Sequence, residues 1–97
     1  MASDPKRIKV QLDADPRFAA GVGGALRYLA EASGMSEQVC QEFQQAAVTA
    51  CLNAFRTRTG KCHVVEFLRA DDRIEVVVDA GLDGEPIRLA RPVSAHS

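Results

Sequence analysis

The sequence predicts an α+β fold: a two-layer sandwich in which two helices cover one face of a mostly antiparallel sheet. Three observations predict it. A period-two segment occupies residues 6–12, two capped helical segments follow from Pro16 and Glu37, and two strand-like runs at 62–68 and 73–79 are separated by four turn-forming residues. The order is strand, helix, helix, strand, strand, with residues 86–91 as a further short strand.

In the first segment Ile8, Val10 and Leu12 point one way and Arg7, Lys9 and Gln11 the other, as in a strand with one buried face. Asp15 then offers an N-cap and Pro16 suits the first helical position. The apolar stripe of this helix is Phe18, Val22, Ala25, Leu26 and Leu29, and Ser33-Gly34 marks its end. Gly21, Gly23 and Gly24 each weaken an exposed helix by about 1 kcal/mol relative to alanine, but permit close approach of a neighbour.

Ser36 is the second N-cap, and the helix is expected to run to about Thr59 before Gly60. At about 100° per residue, Val39, Phe43, Ala46, Ala47, Ala50 and Ala54 share one side. Val48, Cys51, Leu52 and Phe55 widen that surface, leaving a narrow polar stripe of Gln38, Glu42, Gln45, Thr49, Asn53 and Arg56. Such a helix is buried on more than one side. Next, CHVVEFL and RIEVVVD read as strands joined by the turn Arg69-Ala70-Asp71-Asp72. The run Val76-Val77-Val78 marks a central strand, Gly81, Asp83 and Gly84 break the pattern, and 92–97 reads as a loose tail.

A chain of 97 residues fits one domain, with its core over 6–91. Its 12 basic residues are scattered among 13 acidic ones for a net charge of −1, which is no footprint for nucleic acid. No apolar run approaches the roughly 20 residues of a membrane helix. MASDPKRIKV has no apolar stretch behind its basic residues, so neither a signal peptide nor a membrane partner is expected, and the cytoplasm is the expected location. Three cysteines fit no disulfide framework. Cys40 and Cys51 lie eleven residues apart, near one helix face, and read as small core residues; Cys62 and His63 lack further metal ligands at suitable spacing.

With the first strand, the DPRF helix start, AAVTACLNAF in the second helix and VVVDAG after the valine run, residues 6–84 resemble the anti-sigma-factor serine kinases, the RsbW and SpoIIAB type of the GHKL ATPase group. In that family the second helix carries Glu-Ala-x-x-Asn-Ala, whose Asn coordinates the magnesium of ATP and whose Glu acts in catalysis. Here Asn53-Ala54 matches the Asn-Ala pair and Thr49 stands at the Glu position. The family's Asp-x-Gly-x-Gly follows the central strand, with its Asp reading the adenine amino group. Asp79-Ala80-Gly81 matches the first half, and Asp83 occupies the place of the second Gly. The resemblance therefore implies Asn53, Asp79 and Gly81 as nucleotide-binding residues, with Asn53 on magnesium, if MgATP is held at all. Read without the resemblance, Asn53 is a solvated polar residue and Asp79 a turn-former.

The departures predict a domain without catalysis. Thr49 cannot replace a carboxylate base, Asp83 adds negative charge, and EPIRLARPVSAHS contains no glycine from which to build a phosphate cradle. Arg56, Arg58 and Lys61 suit a helix end. The expected function is a regulatory module that binds a sigma factor, an anti-sigma antagonist or a second copy of itself, with no cofactor. Residual MgATP binding, as a GHKL-type ATPase or serine kinase, is the competing expectation, and an unrelated scaffold with chance motifs is the third.

Overall fold

The computed structural model of the protein describes residues 6–57, 62–79 and 85–93. Among these, the elements are β1 (Lys6–Leu12), α1 (Pro16–Ala32), α2 (Glu37–Thr57), β2 (His63–Arg69), β3 (Arg73–Val78) and β4 (Ile87–Pro92). The strands form one sheet in the order β1-β2-β3-β4, with every neighbouring pair antiparallel. The fold is thus α+β, with β3 inside the sheet as its valine run requires.

Local chemistry sets the helix ends. The Asp15 carboxylate accepts the Arg17 amide at 2.9 Å, and the guanidinium of Arg17 closes on the same carboxylate at 2.7 Å. These bonds hold the Asp15 carboxyl down at about 2. At the other end Gly34 has φ 83° and the Met35 amide reaches back to the Ala30 carbonyl at 3.1 Å, closing a Schellman-type turn. One residue later Ser36 caps α2, accepting the Val39 amide on its hydroxyl at 3.3 Å.

Strand register fixes the two faces of the sheet. Val10, Val65 and Val78 align across it with Ile87, and Ile8, Phe67 and Val76 align with Leu89. This face carries the core, where Val65, Ile74, Val76 and Val78 pack with Leu26, Phe43, Ala47 and Cys51 of the helices. α2 lies against β3 and β4, and α1 also contacts β3. The two helices meet closely at Gly23, where an added Cβ would stand 2.5 Å from Val48 Cγ2.

The opposite face is a thin shell of Leu68 and Val77, 6% and 5% exposed, beneath charged arms. Glu66 is shared by Arg7 at 3.4 Å and Lys9 at 4.0 Å; Glu75 is shared by Arg88 at 2.8 Å and Arg73 at 3.7 Å. Val77 is therefore buried on this face, as Val76 is on the core side, which explains the unbroken valine run.

Several expectations need correction. Ile8 is 55% exposed, because β1 is an edge strand and the helices do not reach over its first residues. The buried stripe of α1 is rotated from the expected one: Ala19, Val22, Gly23, Leu26 and Ala30 face inward, while Phe18 and Ala25 lie at its margin. Small residues sit innermost because α1 packs tightly against α2. α2 is assigned to Thr57, and the expected stop at Gly60 lies outside the described residues. Asp79 follows β3 rather than ending it. Pro92 belongs to β4, opposite Arg73, and the Val93 amide bonds the Asp72 carbonyl at 2.9 Å, so these two residues of the expected tail are held by the sheet, and 94–97 lie outside the described residues.

Candidate functional site

His63 and Asp79 form the most unusual polar arrangement in the described residues. Both are fully buried, and His63 Nδ1 stands 2.8 Å from Asp79 Oδ1. A carboxylate opposite Nδ1 places the ring proton there, so the imidazole donates and the carboxylate accepts. His63 Nε2 has no hydrogen-bond partner, and the Phe55 ring packs against the imidazole at 4.8 Å.

Backbone geometry explains the pairing. Alternation along β2 puts His63 on the core face with Val65 and Phe67. Alternation along β3 would put Asp79 on the other face, beside Val77. Instead Asp79 takes φ 63°, in the left-handed region that Asp tolerates better than most residues, while its amide bonds the Val64 carbonyl. The strand alternation ends there, and the carboxylate turns to His63. From the sequence, His63 stands out only as a candidate metal ligand beside Cys62, without further ligands at suitable spacing. Its place in the apolar alternation was the available signal, since a buried imidazole needs a partner.

This pair resembles two members of a nucleophilic triad, but among the described residues no nucleophile bonds His63 Nε2. Cys51 is the neighbouring thiol, and it is fully buried. Burial, and then the charge of Asp79, push its thiol up to about 11, opposite to what a thiolate nucleophile needs. Cys40 is raised as well, chiefly by burial. Cys62 is exposed. A thiol reagent on the native protein should therefore modify Cys62 rapidly and the other two only after denaturation. Mass spectrometry showing equally fast modification of Cys51 would contradict the closed packing around His63.

The polar stripe of α2 is exposed, as its pattern implies. Glu42, Gln45, Thr49 and Asn53 line an open cleft of about 470 Å³ that Ile87 of β4 closes on one side. Thr49 and Asn53 therefore do share an opening. Asp79 is not among its lining residues, and Gly81 lies outside the described residues. The Asn53 amide oxygen accepts a hydrogen bond from Arg56 at 2.7 Å, so the atom that would bind magnesium faces a guanidinium. Glu42, a member of the same polar stripe, adds a carboxylate to the cleft wall. Under the roles the resemblance implies, these residues would fit MgATP poorly: the Asp79 carboxylate is buried, the Asn53 oxygen already accepts from a guanidinium, and Glu42 adds negative charge to the cleft wall.

Among the described residues, no cluster of three or more His, Cys, Asp or Glu side chains is arranged to hold a metal, and no helix is long and apolar enough to cross a membrane. Compared with known proteins, the chain matches no protein-family model and no curated protein.

Proposed function

We propose that this chain is a cytoplasmic regulatory module, a degenerate GHKL-like sandwich akin to the anti-sigma-factor serine kinases, that acts by partner switching and without kinase activity. Its partner in this reading is a sigma factor or an anti-sigma antagonist. One observation carries the reading: the carboxylate that would read adenine is fully buried and engaged by His63. The Arg56 contact to Asn53 and the threonine at position 49 point the same way. A sheet-and-helix platform that no longer serves a nucleotide keeps its value as a binding surface.

The test is a melting experiment with MgATP, followed by capture of candidate partners. A ligand at 100 times its Kd adds about 2.7 kcal/mol. No rise in melting temperature is expected at millimolar MgATP, whereas the purified chain should retain a sigma factor or an antagonist identified by mass spectrometry. A rise that disappears in Asn53→Ala or Asp79→Ala, with neither protein retained, would replace this reading with nucleotide binding.

A further inference from the structure

β1 is an edge of the sheet, and among the described residues nothing pairs with its outer side. An exposed strand edge is a row of backbone donors and acceptors that can template another strand. Two side-chain features flank this edge. On the helix side, Val10, Leu12, Phe18, Val22, Ala25 and Phe67 line a groove of about 210 Å³. Gly21 opens that groove further, since a Cβ there would meet nothing within 4 Å. Phe18 is 43% exposed and Ile8 55%, so both extend the apolar surface beside the edge.

On the other side of β1, the pairing register places Arg7 and Lys9 on the open face of the sheet. Their side chains are 62% and 65% exposed, and they share a single carboxylate, Glu66. The open side of the edge thus carries an excess of positive charge, while its helix side is apolar.

We propose, building on the binding-module reading, that the β1 edge takes an extended segment of a partner protein in which acidic and apolar residues alternate. Pairing with β1 puts every second side chain of the incoming strand beside Ile8, Val10 and Leu12 above the groove. The intervening side chains stand opposite Arg7 and Lys9, where a carboxylate is favourable and an ammonium is not. The same charges argue against a second copy as the occupant. An antiparallel pair of β1 strands related by a two-fold axis sets Lys9 against Arg7 or Lys9 of its mate in two of the central registers, where cations meet, and against the neutral Gln11 in the third; β1 offers its mate no carboxylate in any of them.

The experiment is an NMR titration of the isotopically labelled chain with a capped peptide, Glu-Val-Glu-Val-Glu-Val-Glu. Saturable shifts confined to the amides of residues 6–12 and 18–25 are expected. Arg7→Glu combined with Lys9→Glu should weaken binding by about tenfold or more. Gly21→Leu, which fills the groove from an open helix position, should do the same while the chain stays folded. A peptide with lysine in place of glutamate should not bind.

Three results would overturn the assignment. These are no shifts with the acidic peptide, binding indifferent to both variants, or light scattering that shows a dimer dissociated by Ile8→Lys. If a sigma factor or antagonist is captured but protects other residues from hydrogen exchange, the edge is rejected and the module reading stands. If the peptide binds and neither protein is captured, the edge stands and the partner class named above is wrong.

Discussion

Replacing His63 with leucine should lower the stability of the domain by about 3 kcal/mol, the scale of removing one hydrogen-bond partner of a buried charged group. For a chain of this size the melting temperature should fall by on the order of 15 °C. The side chains are similar in bulk, so the loss is electrostatic rather than volumetric. The Asp79 carboxylate is fully buried and His63 Nδ1 donates to it at 2.8 Å; leucine offers that carboxylate no proton. Asp79→Asn should cost less, because asparagine keeps the size, can accept from Nδ1 and tolerates φ 63°. Combining the two changes should recover part of the leucine penalty, and a double-mutant cycle should return a coupling of about 1 kcal/mol or more. The experiment also separates roles. An adenine-reading Asp79 would leave the melting of the unliganded chain untouched when changed to asparagine, whereas a structural Asp79 lowers it. Unchanged melting in His63→Leu would show that the imidazole does not hold the carboxylate.

The sequence made the elements legible because their signals are local. Asp15-Pro16 and Ser36 cap helices through bonds to amides two or three residues away, and the valine run reports a strand covered on both faces. What stayed hidden depends on relations between elements. Nothing local distinguishes Phe18 as a marginal residue from Ala19 as a central one; that follows from the rotation of α1 against α2. Ile8 has the alternation of a buried residue but sits on an edge strand, and edge position is a property of the sheet. In the candidate site, the exposure of Thr49 and Asn53 was readable from the polar stripe of α2. The contact of Arg56 with Asn53 spans three helical residues and was within reach of the same periodicity. The His63–Asp79 pair was not, because a single left-handed residue after β3 reverses the direction in which Asp79 points.

Gly23→Ala should destabilise the chain by about 2 kcal/mol, while Gly21→Ala and Gly24→Ala should each stabilise it by about 0.5–1 kcal/mol. By helix propensity alone the three substitutions are equivalent, and all should be favourable. What separates them is the surface each glycine faces. A Cβ at Gly21 or Gly24 meets nothing within 4 Å. At Gly23 it would lie 2.5 Å from Val48 Cγ2 and 3.2 Å from the Gln44 carbonyl oxygen. Valine in a helix is confined to essentially one rotamer and cannot swing away, and the carbonyl belongs to the backbone of α2. Relief therefore requires the two helices to separate, and separation loosens the core they form around Leu26, Phe43 and Ala47. Overpacking exceeds the gain in helix propensity, which sets the sign. Val48→Ala removes the nearest atom, so Gly23→Ala in that background should cost less than in the native chain. Thermal melts of the three alanine variants and of the double variant decide the matter. A Gly23→Ala chain as stable as Gly21→Ala would mean that α1 and α2 do not approach as closely as the core packing requires, and with it the rotated stripe of α1 would have to be abandoned.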